Sequence, residues 1–344
     1  MTGTRKFVAW MHAPEYPIWQ LPPDAARAIR DALGSEWTWV SLEEEGYFAG
    51  DGARRVPERL TEEIRDAEVY CGFGLPREAF RAADRLRWVH SGAAGVDVFP
   101  ELRESDVVLT NSAGLHAEPM AEHALAMMLH FARGLDVAEA GRREERWAHP
   151  ELAGRDSPVR ELAGATVGVV GYGGIGSAVG RKAAALGARV VALRRDPAGE
   201  PPAEVDRMWG PDGLDRLLES ADHVVLTVPS TPATEGMIGL RELSRMGQDA
   251  VLINLARGDV VDEDALVEAL EEGRIRGAGL DVFEEEPLPA GHPLWTIDRA
   301  VLTPHTGGIS PRFWERETDL IVENIRRYRA GEPLLNVVDK ARGY

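Results

Sequence analysis

The 344-residue chain carries a formal net charge of −18, contains a single cysteine and has a hydrophobic fraction of 44%. A chain of this length exceeds what one hydrophobic core usually serves, so two domains are expected. The negative charge argues against nucleic acid or an anionic membrane as a partner. With Cys71 alone, an internal disulfide and a thiolate-rich metal site are excluded. No signal-peptide pattern precedes the first apolar run, and no run approaches about 18 apolar residues, so we expect a cytoplasmic protein.

The first hundred residues alternate short apolar runs with helical patterns, which is typical of a parallel sheet covered by helices. Strands are predicted at residues 7–10, 37–41, 67–71 and 86–90, and helices at 22–33 and 57–65.

A long apolar helix is predicted over residues 120–133. Because it is apolar around most of its circumference, we expect it to be buried in a domain core or at a subunit interface. Residues 136–163, with Pro150, Gly154 and Pro158, are charged and irregular, and they predict a surface excursion.

A second series of alternating strands and helices begins near residue 165, and a final helix is predicted over residues 311–330. The strands are predicted at 166–170, 189–193, 223–228, 250–254, 277–281 and 300–302, with helices notably at 175–186 and 262–272.

The strand at 166–170 runs into Gly171-Tyr172-Gly173-Gly174-Ile175-Gly176 and then into a helix. This is the G-x-G-x-x-G pattern in the strand–turn–helix context that dinucleotide binding requires. Gly171 would allow the tight turn, Gly173 would let backbone N–H groups approach a pyrophosphate, and Gly176 would let the helix pack on the strand. A glycine-rich turn without a ligand is the structural alternative.

The end of the next strand bears on the choice between NAD and NADP. An acidic residue there binds the ribose 2′-OH, whereas arginine accepts a 2′-phosphate. The strand delivers Arg194 and Arg195, and Asp196 follows. Two guanidinium groups suit a phosphate, so NADP is favoured, with NAD as the second choice if Asp196 reaches the ribose.

The chain resembles the D-isomer-specific 2-hydroxyacid dehydrogenase family over nearly its whole length. The motifs that carry the resemblance are Ala94-Gly95-Val96-Asp97, Asn111-Ser112-Ala113, Met120-Ala121-Glu122-His123, the glycine turn, residues 228–234, residues 253–258, residues 279–287, Thr303-Pro304-His305-Thr306-Gly307-Gly308 and residues 335–339.

The resemblance implies an α/β fold with two Rossmann-like domains. A nucleotide-binding domain at residues 113–309 would be inserted in a flavodoxin-like substrate domain made of residues 1–112 and 310–344. The active site would lie in the cleft between the two domains, where strand carboxyl ends meet. A homodimer through residues 120–163 is also expected.

The resemblance further implies a catalytic set of Arg257, Glu286 and His305. Arg257 would bind the substrate and stabilise developing charge. His305 would be the acid in reduction and the base in oxidation, and Glu286 would orient its ring and favour its protonated form. Taken singly, Arg257 and Glu286 would more often be surface charges and His305 a packing residue; their joint position in matching motifs favours catalysis.

The remaining contacts implied by the resemblance concern the two ligands. Asp281 and the backbone near Ala256 would lie by the nicotinamide carboxamide, Val228, Pro229 and Thr234 would line the adenosine side, and Ala93, Ala94 and Gly95 would bind the substrate carboxylate through backbone N–H groups. The complete set of expected nucleotide contacts is Gly171, Gly173, Gly174, Ile175, Gly176, Arg194, Arg195, Val228, Pro229, Thr234, Leu255, Ala256, Asp281, Gly307 and Gly308.

Two other residues have open roles at this point. Trp314 is expected either in the pocket wall or in a core. His123, beside Glu122 on the apolar helix, is expected to be a buried, paired structural histidine rather than a ligand. The histidine spacings match no metal site, so no metal is predicted.

The expected activity is interconversion of a small 2-keto acid and its D-2-hydroxy acid, with glyoxylate or hydroxypyruvate fitting an NADP preference. Bulkier 2-keto acids stay open, and phosphite is a remote option. Glu286 excludes the formate dehydrogenases of the family, which carry glutamine there. A nucleotide-sensing corepressor of the same fold is one alternative. An amino-acid dehydrogenase is another, but it would need a pocket lysine, and only Lys6, Lys182 and Lys340 are present.

Overall fold

The chain divides into two compact units in the computed structural model. Unit 1 consists of Met1–His116 with Ile309–Tyr344, and unit 2 consists of Ala117–Gly308. The chain therefore passes from unit 1 to unit 2 once and returns once. The sequence predicted these boundaries between residues 112 and 113 and between residues 309 and 310. The observed boundaries, after His116 and after Gly308, differ from them by a few residues. The structure describes residues 5–13, 16–43, 57–96, 99–197 and 199–342, so Asp97 of the first motif lies outside the described residues.

Unit 1 contains a five-stranded parallel sheet in the order β2-β1-β3-β4-β5, which is the flavodoxin-like order. Its strands are β1 (Arg5–Trp10), β2 (Trp37–Ser41), β3 (Val69–Gly72), β4 (Trp88–Ser91) and β5 (Val108–Asn111). Its helices are α1 (Pro23–Leu33), α2 (Glu58–Glu63), α3 (Arg77–Ala82) and the last helix of the chain, numbered α11 (Phe313–Ala330).

Both faces of this sheet are covered. On one face, α1 buries Ala25, Ile29 and Leu33, spaced four residues apart, together with Ile321 and Ile325 of α11. On the other face, residues of α2 and α3 join a second apolar cluster. A sheet buried on both faces explains the apolar runs at residues 7–10 of β1 and 69–71 of β3.

A buried polar cluster fastens α11 to this sheet. Glu317 of α11 is fully buried; its carboxylate accepts a hydrogen bond from Ser112 Oγ at 2.7 Å and lies 3.0 Å from His90 Nε2. His90 Nδ1 lies 2.8 Å from Thr110 Oγ1, which also accepts the indole N–H of Trp88. If the Thr110 hydroxyl donates to Nδ1, His90 carries its proton on Nε2 and donates to Glu317, and every group in the cluster is then satisfied.

Unit 2 contains a seven-stranded parallel sheet in the order β12-β11-β10-β9-β6-β7-β8. Its strands are β6 (Thr166–Val170), β7 (Arg189–Leu193), β8 (Arg207–Trp209), β9 (His223–Leu226), β10 (Val251–Asn254), β11 (Gly277–Leu280) and β12 (Ala300–Leu302). Its helices are α4 (Ala117–Ala132), α5 (Leu135–Arg143), α6 (His149–Ala153), α7 (Gly174–Ala185), α8 (Leu214–Ser220), α9 (Leu240–Leu243) and α10 (Glu263–Glu271).

The apolar helix α4 packs on β11 through glycines. A Cβ at Gly279 would lie 2.6 Å from Met127 Sδ, and one at Gly277 would lie 2.5 Å from the Phe131 ring. These distances leave no room for a side chain at either of the two positions, so the glycines set the depth at which α4 rests on the sheet. Of the two locations expected for this helix, the domain core accounts for its buried face.

The structure corrects several expectations about local structure. Residues 136–163 are not wholly irregular, because they contain most of α5 and all of α6; Asp136 of α5 is buried against Arg276 at 2.6 Å, which a count of charges and prolines cannot predict. The strand expected to reach residue 228 ends at Leu226. The short elements α3, β5 and β8 had no individual prediction.

No helix in the described part of the chain is long and apolar enough to cross a membrane.

Candidate functional site

The glycine turn between β6 and α7 requires two of its glycines. Gly171 has a φ of +100°, and a Cβ there would lie 2.9 Å from the backbone of Thr227. A Cβ at Gly176 would lie 2.2 Å from the carbonyl oxygen of Gly171. The Thr227 hydroxyl donates to that same oxygen at 2.7 Å and fastens the turn to the end of β9.

The first turn of α7 is open to a ligand. Gly173 caps the helix without a side-chain hydrogen bond, and a Cβ built on it would meet nothing within 4 Å. The N–H groups of Gly174, Ile175 and Gly176 belong to the first helical turn, where no intrahelical acceptor exists. Together with the helix dipole, these donors fit a pyrophosphate, so the residues present suit a dinucleotide.

The residues that bear on binding of a ribose 2′-phosphate lie at the carboxyl end of β7. The N–H of Arg194 donates to the carbonyl of Trp209 at 3.0 Å, which fixes its backbone beside β8. The side chains of Arg194, Arg195 and Asp196 are all exposed. The local geometry therefore offers both arginine and aspartate at this position.

The loop after β9 is closed by a threonine. Thr234 Oγ1 donates to the carbonyl of Pro229 at 2.6 Å and accepts from the N–H of Thr231 at 2.9 Å. Val228 and Pro229 are half-buried in this loop. The three residues expected on the adenosine side thus belong to one hydrogen-bonded loop.

Arg257 is held in a turn after β10 by Asn254. The Asn254 amide donates to the Arg257 carbonyl at 3.0 Å, and its Oδ1 accepts the N–H of Ala256 at 3.0 Å. Leu255 and Ala256 are buried, while the Arg257 side chain is half-buried and donates to the Ala256 carbonyl. Asn254 lies three residues before Arg257, and asparagine at the start of a turn is a signal by which its role could have been found.

Gly258 brings the Arg257 loop against the loop that contains Glu286. A Cβ at Gly258 would lie 1.9 Å from the carbonyl carbon of Phe283 and 2.3 Å from the backbone nitrogen of Glu284. Only glycine permits this approach of two backbones. Sequence reasoning did not identify Gly258 as a site residue.

His305 and Glu286 form a hydrogen-bonded pair. His305 Nδ1 lies 2.8 Å from Glu286 Oε2, and Glu286 Oε1 accepts the N–H of Phe283 at 3.0 Å. Burial alone would raise the pKa of Glu286, but the hydrogen bond from His305, the charges of His305 and Arg257 and the Phe283 N–H together lower it. Glu286 is therefore held as a carboxylate. The His305 side chain is 50% exposed, which leaves its Nε2 side accessible to a small molecule.

The loop that carries His305 is organised by Asp281, a buried carboxylate after β11. Asp281 Oδ1 accepts from Thr303 Oγ1 at 2.6 Å and from the N–H of Thr306 at 2.8 Å, and Oδ2 accepts from the N–H of Gly307 at 2.8 Å. The Asp281 carbonyl accepts the N–H of His305 at 2.9 Å. Asp281 thus binds four residues of this loop, three through its side chain and His305 through its carbonyl, in addition to the role expected for it at the carboxamide.

The expected carboxylate-binding segment lies after β4 in unit 1. The Ala93 N–H donates to Ser91 Oγ at 3.2 Å, and the Ala94 carbonyl accepts the Asn111 amide at 2.7 Å. The N–H groups of Ala94 and Gly95 have no acceptor within the described ranges. Of the three expected donors, these two are the ones available to an anion.

Two further expectations concern residues away from the pair. Trp314 packs partly buried against the apolar cluster of α1 and α11, and its indole N–H donates to the Ile18 carbonyl at 3.0 Å, which favours the core alternative. His123 is paired, since its Nε2 lies 2.9 Å from Thr303 Oγ1, but it is half-buried rather than buried as expected, because it lies near the N-terminal end of α4.

The three lysines are engaged elsewhere. Lys6 pairs with Glu63 and Asp66 on unit 1. Lys182 of α7 pairs with Glu118 and Glu122 of α4, and Lys340 donates to the carbonyl of Ser105. None of the three takes part in the Arg257–Glu286–His305 group. No cluster of three or more metal-ligating side chains occurs among the residues that the structure describes.

Comparison with known proteins identifies the family. Residues 125–307 match the model of the NAD-binding domain of D-isomer-specific 2-hydroxyacid dehydrogenases. A glyoxylate reductase from Korarchaeum cryptofilum is 36% identical over 293 residues, which cover 82% of this chain and 85% of that protein. A glycerate dehydrogenase from Methylorubrum extorquens is 31% identical, covering 83% of this chain and 89% of that protein.

Solved structures of this family have a similar fold over nearly the whole chain. A D-isomer-specific 2-hydroxyacid dehydrogenase from Xanthobacter autotrophicus, in complex with NADPH and MES, has a TM-score of 0.79 and 32% identity, covering 98% of this chain and 99% of that one. An NADPH-dependent glyoxylate/hydroxypyruvate reductase from Sinorhizobium meliloti, in complex with NADP and sulfate, has a TM-score of 0.78 and 26% identity, covering 99% and 100%. With a Rossmann-type sheet, a dinucleotide turn and these matches, the chain belongs to the D-isomer-specific 2-hydroxyacid dehydrogenase family.

Proposed function

We propose that the protein interconverts a small 2-keto acid and its D-2-hydroxy acid, with a nicotinamide dinucleotide bound at the turn between β6 and α7. The observation that carries this proposal is the His305–Glu286 pair at 2.8 Å, in the same group as Arg257. Arg257 follows β10, Glu286 follows β11 and His305 follows β12. Because these three strands are parallel neighbours, their carboxyl ends lie at the same edge of the sheet.

In this proposal the residues of unit 2 divide the work of reduction. Arg257 binds the substrate and stabilises the negative charge that develops on the carbonyl oxygen. His305, with Nδ1 engaged by Glu286, donates the Nε2 proton to that oxygen and takes it back in the oxidation. The Glu286 carboxylate stabilises the protonated ring and fixes its orientation. A bound reduced nicotinamide would supply the hydride to the carbonyl carbon.

We assign the substrate carboxylate to the segment Ala93, Ala94 and Gly95, with Ala94 and Gly95 as the donors. Their two N–H groups lack protein acceptors among the described residues, which supports this assignment. Glyoxylate and hydroxypyruvate are the first substrates to test, because relatives and a structural neighbour carry those names. The named relatives are enzymes, and none supports the corepressor alternative.

The test is oxidation of NADPH and NADH, followed by absorbance, with a panel of 2-keto acids. We expect His305→Gln to lower kcat by about 10²- to 10⁴-fold, because the reaction loses its proton donor. His149→Gln, which alters an exposed histidine of the same unit, is the matched control and should keep full activity. A wild-type protein that binds nucleotide but reduces no 2-keto acid would refute the proposal.

We further propose that NADP is preferred, on the strength of Arg194 and Arg195 at the end of β7. The double variant Arg194→Gln/Arg195→Gln should raise the KM for NADPH by roughly 10-fold or more and leave the KM for NADH nearly unchanged, because charged bidentate hydrogen bonds to a phosphate are lost. Arg189→Gln, at the opposite end of the same strand, is the control. Equal effects on both cofactors would refute the preference.

A further inference from the structure

A chain of hydrogen bonds connects α4 to the loop of His305. His123, on α4, has Nε2 at 2.9 Å from Thr303 Oγ1, and Thr303 Oγ1 lies 2.6 Å from Asp281 Oδ1. The Asp281 side chain is 1% exposed and that of His123 is 22% exposed. The chain therefore ends on a carboxylate that water scarcely reaches.

The donors and acceptors along this chain follow from counting protons. An ionised Asp281 can only accept, so the single Thr303 hydroxyl proton points to Oδ1. Thr303 Oγ1 must then accept from His123, which places a proton on His123 Nε2. Because successive hydrogen bonds polarise one another, the donor at His123 strengthens the bond from Thr303 to Asp281.

The same carboxylate holds the chain on both sides of His305. Thr303 binds it from before His305, whereas the N–H groups of Thr306 and Gly307 bind it from after. His305 itself has a φ of +52°, a conformation that L-residues rarely adopt without support from their surroundings. The geometry of His305 is thus set by three donors to one buried acceptor.

We propose that His123 and Thr303 are positioning residues for His305, acting through Asp281. This inference rests on the proposed role of His305 and adds two residues that neither contact Glu286 nor belong to the glycine turn. Loss of the Thr303 hydroxyl leaves Asp281 with two of its three hydrogen-bond donors. His123 Nε2 then keeps only the longer contact of 3.6 Å to Asp281 Oδ1. The segment from Thr303 to Gly307 then relaxes, and the His305 ring loses its alignment with Glu286.

The variants distinguish the effect of losing the Thr303 hydroxyl or the His123 ring N–H from the effect of changing side-chain size. Thr303→Val keeps the shape but removes the hydroxyl, and Thr303→Ser restores it. His123→Leu removes the donor, and His123→Gln supplies an N–H at a similar reach. We expect Thr303→Val and His123→Leu to lower kcat by about 10- to 100-fold with KM within about 3-fold, the scale of a small misplacement of a catalytic group. Thr303→Ser and His123→Gln should recover most of the activity.

Two further readouts distinguish positioning from a general loss of structure. NADPH affinity, measured by fluorescence titration, and the melting temperature should stay near the wild-type values in Thr303→Val. Histidine-ring NMR should show that the Nδ1 proton resonance of His305, hydrogen-bonded to Glu286, is altered in Thr303→Val and restored in Thr303→Ser.

The outcomes decide two questions separately. Wild-type kcat in Thr303→Val with an unaltered His305 resonance overturns the positioning role, as does a loss that Thr303→Ser fails to recover. An inactive wild-type protein overturns the proposed function instead, and the NMR comparison still decides whether Thr303 sets the His305 geometry.

Discussion

At the scale of single residues, the contact between the Arg257 and Glu286 loops depends on the absence of a side chain at Gly258. Because a methyl group there would lie 1.9 Å from the Phe283 carbonyl carbon, Gly258→Ala must separate the two loops. We expect a loss of about 1–3 kcal/mol in the free energy of unfolding, the usual cost of overpacking, together with reduced kcat/KM. Urea unfolding and steady-state kinetics measure both quantities. Gly247→Ala, where a Cβ meets nothing within 4 Å, should be neutral.

His223, the first residue of β9, predicts a dependence of stability on pH. Burial lowers its pKa from 6.5 to about 4, and the nearby Asp222 charge offsets this only in part. The unfolded chain therefore takes up a proton near pH 6.5, whereas the folded protein does not until about pH 4. The neutral His223 ring therefore contributes fully to stability above pH 6.5. As the pH falls from 6.5 toward 4, the free energy of unfolding decreases by up to about 3 kcal/mol.

The variant His223→Leu isolates this effect. Its free energy of unfolding should fall less between pH 7 and pH 4.5 than that of the wild type, as measured by urea titrations at several pH values. Parallel curves for the two proteins would exclude His223 as the source.

The proposed catalytic group illustrates what sequence can reveal about a site. Arg257, Glu286 and His305 were predicted from the family resemblance of the motifs around them, and Glu286 and His305 lie 2.8 Å apart. Thr303 and His123 were not predicted as a pair, because they are 180 positions apart in the chain and meet only when α4 packs on the end of β12. Gly258 was missed for a similar reason, since its partner Phe283 lies on another loop.

At the scale of elements, the long and strongly patterned ones were predictable. The strand, glycine turn and helix from β6 to α7 follow from local rules about backbone freedom and apolar spacing. The three-residue strand β8 and the six-residue α3 carry too few residues for a period to emerge. Helix α5 was missed because its charged Asp136 is buried by an ion pair with Arg276, a contact from outside the segment.

The docking of α11 predicts a strong effect from one buried carboxylate. Glu317→Ala should cost about 1–3 kcal/mol, because it leaves the Nε2 donor of His90 buried without its acceptor, while Ser112 keeps the Ser91 carbonyl. Glu315→Ala on the same helix, where the exposed carboxylate pairs with Arg312, should change stability by less than about 0.5 kcal/mol. Urea unfolding of the two variants makes the comparison, and equal losses would contradict the role given to Glu317.

At the scale of the whole molecule, we propose a homodimer through residues 120–163. Trp147 is 84% exposed and Leu135 is 51% exposed, and apolar side chains so placed are typical of association surfaces. Light scattering with size exclusion should give the mass of two chains, and Trp147→Glu should shift the mass toward one. Leu240→Lys, at another exposed apolar position of unit 2, should leave the mass unchanged. A monomeric wild type at all concentrations tested would refute the dimer.

The double passage of the chain between the units has a consequence for biosynthesis. Unit 2 is one continuous segment, whereas α11 is made after it, so the ribosome must add roughly 190 residues between the two parts of unit 1. At about 5–20 residues per second, the strands of unit 1 wait on the order of 10–40 s for their covering helix. During that interval His90 and Ser112 lack Glu317, and the apolar face that α11 later covers is open to chaperones and proteases. The first part of unit 1 thus stays partly uncovered until the second part has been made.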